Sequence, residues 1–94
     1  MNISKGDLVL SLAGRDKDKL FYVLDADETY AYLVDGKVRK LENPKRKKRK
    51  HIRFAARIDS NVAQKLIRGD KVLNSELRRD LAVNSQYVRT KEDE

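Results

Sequence analysis

Cysteine is missing from this chain altogether, which removes disulfides and thiolate-bound zinc as supports for a small core and asks for no oxidising compartment. Histidine occurs once, at His51, so no His/Cys cluster has metal-ligand spacing. Neither a Gly-x-Ser-x-Gly elbow nor a phosphate-cradling glycine-rich loop is present. Catalysis therefore has no visible apparatus, and the chain reads as a non-enzyme without catalytic residues, metal or cofactor. Two carboxylate pairs, Asp16 with Asp18 and Asp25 with Asp27, fall in expected turns, where solvated acids are commonplace. No apolar run approaches the roughly 20 residues that crossing a bilayer requires. The opening Met1-Asn-Ile-Ser-Lys-Gly6 lacks the apolar centre of a secretory signal. The cytoplasm is the simplest location.

What the chain has in excess is positive charge, and it is gathered in one place. The net charge of the 94 residues is +7. Residues 37–53 hold ten Lys/Arg against the single acid Glu42, a local balance of +9, and the rest of the chain sums to −2. At the centre is the unbroken run Lys45, Arg46, Lys47, Lys48, Arg49, Lys50, which repels itself unless a polyanion neutralises it. Nucleic acid is the leading candidate. Anionic lipid ranks low, because the run carries no Leu, Phe or Trp at helical spacing to insert beside headgroups. Hydrophobic and charged residues have equal shares, 39% each, so a thin core and one small folded unit are expected.

Periodicity outlines that unit. Asp7 to Leu12 alternates, with Leu8, Leu10 and Leu12 on one face of a half-buried strand. The charged segment Arg15 to Lys19 is a turn, and Leu20 to Leu24 a second, more continuously apolar strand. Thr29 to Val34 is rich in strand formers, and Asp35-Gly36 suits a tight hairpin turn with Lys37 to Leu41 as the returning strand. Asn43-Pro44 marks a loop that runs into the basic stretch, and His51 to Phe54 forms a last short strand. Five short strands suggest a small barrel. Beyond residue 56 the spacing changes: Val62 and Leu66, then Leu73, Leu77 and Leu81, recur at i, i+4 and predict two short helices. Asp59 or Ser60 can cap the first and Gly69 end it; Asn74 or Ser75 can cap the second. Arg89 to Glu94 should be a polar tail.

A basic loop over 43–50, anchored between strands, can present several phosphate contacts together, whereas a solvated loop or a targeting peptide is the bland alternative. Because such a loop adds little to a core, charge reversal at Lys47, Lys48 and Arg49 is expected to spare the fold. Arg46, Arg49 and Arg53 are candidates for two-bond grips on phosphate or stacking on bases, and the lysines act as point charges. Tyr30 and Tyr32 share a strand face, with Tyr22 near them. Packing in the core is favoured over base stacking for these three, since the barrel has few other large residues to fill it.

Gly6-Asp-Leu-Val-Leu-Ser-Leu-Ala-Gly-Arg-Asp-Lys-Asp-Lys-Leu-Phe-Tyr-Val-Leu24 resembles a KOW motif, most closely those of large-subunit ribosomal proteins of archaea and eukaryotes and of their small bacterial RNA-binding relatives. The likeness continues through Leu33-Val-Asp-Gly36 to Arg49-Lys-His-Ile52 and covers about residues 5–54. The resemblance implies an SH3-like five-stranded barrel over residues 1–56, before the helical appendage over 57–86 that the spacing predicts and a polar tail over 87–94. It implies Gly14 as the motif's turn glycine and Arg15, Lys17 and Lys19 as its loop cations. Many KOW motifs have a second glycine where Asp18 stands, and an acid there repels phosphate. With these cations, Arg39, Lys40, Lys45, Arg46, Lys47, Lys48, Arg49, Lys50 and Arg53 form the expected RNA-binding set. Ribosomal RNA is the expected partner, ribosomal proteins are conceivable neighbours, and the free chain is expected to be monomeric. A protein-interaction adaptor that docks an acidic partner in translation or transcription is the chief rival; an enzyme acting on nucleic acid ranks far below it.

Overall fold

Leu20-Phe-Tyr-Val23 is apolar at four successive positions, and alternation sends these side chains to both faces of a sheet. Each face has its own cover. The computed structural model describes residues 2–88 and contains β1 (Leu8–Ser11), β2 (Leu20–Ala26), β3 (Tyr30–Val34), β4 (Lys45–Lys48) and β5 (Ile52–Ala56). Two helices follow, α1 (Asn61–Arg68) and α2 (Asn74–Val83), and 3-10 turns occupy Arg49–His51 and Ser85–Val88. The strands form one antiparallel sheet in the order β4-β3-β2-β1-β5, with β4 and β5 at its edges. The tail expected from Arg89 to Glu94 lies outside the described residues. Among the described residues no helix is long and apolar enough to cross a membrane.

On one face Leu8, Leu10, Leu20, Tyr22 and Val34 pack under Val62, Ala63 and Leu66 of α1, Val72, and Leu77 of α2. On the other, Val9, Phe21, Val23, Ala31 and Leu33 cluster with Ile3 and Ile52. All four residues of β1 are buried, not a single alternating set, and Leu12 falls beyond the strand at 42% exposure. The helices are not an appendage, because together with Val72 between them they supply half of one core.

Hydrogen bonds fix this layer. The Tyr22 hydroxyl, on β2, donates to the Asp80 carboxylate of α2 and lies 3.2 Å from Ser60 Oγ. Burial, and then Asp80, push the Tyr22 hydroxyl far above its ordinary pKa, so it stays a neutral donor. Ser60 Oγ also donates to Asp80 (3.0 Å) and accepts from the Ala63 amide as the N-cap of α1. Asp7, 1% exposed, is gripped by the Arg57 guanidinium at 2.8 and 2.9 Å. Arg57 donates also to the Asn2 carbonyl and so ties the chain's start to the end of β5.

Two expected elements differ. Lys37 to Leu41 is not a strand. The turn at Asp35-Gly36 is present, with the Asp35 and Gly36 amides donating to the Arg39 carbonyl, but the chain then folds against α2 and does not return along β3. Arg78 donates to the Gly36 carbonyl, the Leu41 amide donates to Asn74 Oδ1, and Asn74 Nδ2 donates to Glu42. That use of Asn74 explains the second difference: neither Asn74 nor Ser75 caps α2, whose N-cap is Leu73 without a side-chain bond.

Gly36 (φ +77) sits where any Cβ would run into the Asn74 carbonyl and the Leu77 side chain, whereas Gly69, also at φ +77, has open space around it. Gly36→Ala is therefore expected to cost several kcal/mol, about 3 or more, through steric overlap added to backbone strain, and Gly69→Ala only about 1 kcal/mol from strain alone. Urea unfolding of both variants, followed by circular dichroism, checks the contrast.

Candidate nucleic-acid interface

The six consecutive cations do not form a loop. Lys45 to Lys48 is the edge strand β4, paired residue for residue with β3: Leu33↔Lys45, Tyr32↔Arg46, Ala31↔Lys47 and Tyr30↔Lys48. Residues facing each other across an antiparallel pair point to the same side. Lys45 and Lys47 therefore share the face of Phe21, Ala31 and Leu33, and Arg46 and Lys48 share the face of Tyr30 and Tyr32. One strand serves two surfaces. Long polar stems and an unpaired edge make such a sequence tolerable as a strand.

Lys47 is the inward one, 9% exposed. Its Nζ donates to the Ala13 carbonyl at 2.6 Å and to Asp16 Oδ1 at 2.7 Å. Ser11 Oγ donates to the same carboxylate oxygen at 2.7 Å. Partial burial pushes the Asp16 carboxyl up, but the bonds from Lys47 and Ser11 and the Lys47 charge outweigh it and hold the group below its ordinary value of 3.8. Asp16 is thus a structural anion, not a solvated turn acid. It binds the β1–β2 loop to β4.

Beside this pair opens a cleft of about 320 Å³ floored by Phe21, with Arg15, Lys19, Arg39 and Lys45 on its walls alongside Asp35. Two parts of the chain distant in sequence, the β1–β2 loop and the stretch formed by the 36–44 connection and β4, converge here. Gly14 borders the cleft at φ +83, and Asp18 has the left-handed φ of 69. An αL backbone is the conformation in which glycine is the usual residue, and here an aspartate adopts it. The Asp35 carboxylate accepts from the Lys37 and Arg39 amides, so part of its capacity is used within the turn.

The other expected contacts separate. Arg49 is spent internally, donating to the Asp27 and Ile3 carbonyls at 2.9 Å each. Together with the burial of Lys47, this overturns the expectation that charge reversal at Lys47, Lys48 and Arg49 would spare the fold. Arg46 lies over the Tyr30 ring, 4.5 Å from its centroid. Lys17, Lys40, Lys48, Lys50 and Arg53 are exposed. No hydrogen bond or ion pair to another described residue engages the side chains of Lys45, Lys48, Lys50 or Arg53. Arg53 lies with Arg49 near Ile3 and Phe54, away from the cleft.

Lys19, Lys37, Lys40 and Arg78 rim a second groove, of about 930 Å³, whose apolar lining is Leu20, Val38, Leu81 and Ala82. Lys37 and Arg78 were not among the expected contacts, since only folding of the 36–44 connection onto α2 makes them neighbours. Tyr22 packs in the core, but Tyr30 and Tyr32 do not: both are part-exposed and belong to neither buried cluster. No protein-family model and no curated protein matches the chain.

Lys47→Ala is expected to destabilise by about 1–3 kcal/mol, because it leaves a part-buried carboxylate without its charge partner and the Ala13 carbonyl without its donor. Lys48→Ala, on the exposed side of the same strand, should stay within about 0.5 kcal/mol. Asp16 has a depressed folded pKa, so the stability it contributes is present above about pH 4 and lost as pH falls through the folded value. The gap between wild type and Lys47→Ala in urea midpoint should accordingly be widest near neutrality and narrow in acid.

Proposed function

We propose that this protein is a non-catalytic RNA-binding protein of the KOW type, its five-stranded sheet a small SH3-like barrel, working on or near the ribosome with ribosomal RNA as partner. The observation that carries this reading is the concentration of the chain's excess charge on one edge strand and the loops beside it, where Arg15, Lys19, Arg39 and Lys45 line a single cleft. Cations held on a folded edge meet successive phosphates without the entropy loss of ordering a free loop. Backbone neutralisation is indifferent to base sequence, so shape and charge dominate the main contact. The likeness of residues 5–54 to KOW motifs supports the same partner.

With about four phosphates neutralised, log K should fall with log salt at a slope of about −3. Lys45→Glu, Lys48→Glu and Lys50→Glu together should weaken binding to a structured ribosomal RNA fragment by about a hundred-fold or more and make the slope shallower. Circular dichroism should be unchanged, since these three side chains hold nothing else. Salt-independent binding, or full affinity in the triple variant, would refute the reading. A second reading, an adaptor for an acidic protein segment, is favoured by the apolar groove with its rim of Lys19, Lys37, Lys40 and Arg78. Partners retained after complete nuclease digestion and in the triple variant would favour it.

A further inference from the structure

The helices do not cover the whole of the sheet face on which they lie. Val34, Tyr32 and Tyr30 share that face by alternation along β3. Val34 is buried in the core with α1 and α2, but Tyr32 and Tyr30 extend past it and stay part-exposed. Neither hydroxyl hydrogen-bonds to another described side chain, in contrast to the Tyr22 hydroxyl with its two partners. The register places Arg46 opposite Tyr32 and Lys48 opposite Tyr30. Arg46 already lies over Tyr30. A stacking surface of two rings and a guanidinium is thus set beside a cation, on the opposite face of β4 from Lys47 and the cleft.

We propose that Tyr30, Tyr32 and Arg46 form a stacking site for an unpaired nucleobase, with Lys48 on the adjoining phosphate. The inference rests on the RNA-binding reading and deepens it: the preferred ligand has a single-stranded element next to its folded part. Every base has a π-face, so aromatic rings and guanidinium planes hold unpaired bases with little sequence preference, and bases stacked inside a duplex cannot reach them. Asp25, exposed and paired with Tyr32 from the β2 side, gives the surface a polarity. It repels phosphate on its own flank and directs the backbone toward β4. Of the two acids in the turn before Tyr30, Glu28 is exposed and Asp27 already accepts from the Tyr30 and Thr29 amides, bonds that hold its carboxyl below the ordinary range.

The test compares a hairpin with an unpaired loop, a fully paired duplex of equal phosphate number, and the same hairpin with abasic loop positions, by anisotropy of end-labelled RNA. Wild type should prefer the intact hairpin by about ten-fold over the other two. Tyr32→Leu with Tyr30→Leu should erase that preference while keeping duplex affinity and its salt slope, and Tyr32→Phe should retain it. Equal wild-type affinity for the intact and abasic hairpins overturns the stacking site alone and needs no folded variant. Failure to bind any of the three RNAs overturns the RNA reading and this inference with it.

Discussion

A buried lysine sets the register on which the rest of the surface depends. Lys47 Nζ is held between the Ala13 carbonyl and the Asp16 carboxylate, in the middle of a strand whose four side chains are all cationic. A β-strand slipped by one residue exchanges its two faces, and an all-cationic strand has no apolar set to resist the slip. The ion pair supplies what hydrophobic patterning cannot. With Lys47 inside, Lys45 must also face the cleft, and Arg46 and Lys48 must face the tyrosines. The same bond draws the β1–β2 loop onto β4, which brings Arg15 and Lys19 within reach of Arg39 and Lys45. Position, more than number, separates this arrangement from a solvated basic tail.

The parts of the fold that were legible are those where alternation or helical spacing carries an apolar signal. Leu20 to Leu24 reads as a continuously apolar strand, and Val62 with Leu66 reads as a helix face. β4 gives no such signal. Its stabilising contacts are main-chain pairing at a sheet edge and one ion pair to a residue 31 positions away, neither of which leaves a local pattern. Lys37 to Leu41 departs from the strand expected of it for the same reason. Asp35-Gly36 does form its turn, but the competing bonds to Asn74 and Arg78 come from a helix more than thirty residues later. Those bonds also remove Asn74 from the capping role its side chain would otherwise suit.

The candidate site was legible as a charge and not as a geometry. Composition identifies the cations but cannot separate those that face outward from those the fold has already used. Lys47 and Arg49 look like their neighbours in sequence, yet one closes an ion pair and the other closes two backbone carbonyls. The tyrosines erred in the other direction. Large aromatic residues in a small domain belong in the core by default, and Tyr22 does; Tyr30 and Tyr32 escape because the helical layer ends before it reaches them.

β4 lies at the margin of the sheet, with one row of backbone donors and acceptors not paired within it. A margin of this kind ordinarily invites a second copy to add a strand, the first step toward aggregation. Here a second copy would align its own row of ammonium and guanidinium groups against an identical one, and like charges would drive the two apart. The bare edge is therefore guarded by the residues it displays: Arg46 and Lys48 on one side and Lys45 on the other set like charge against like along the margin.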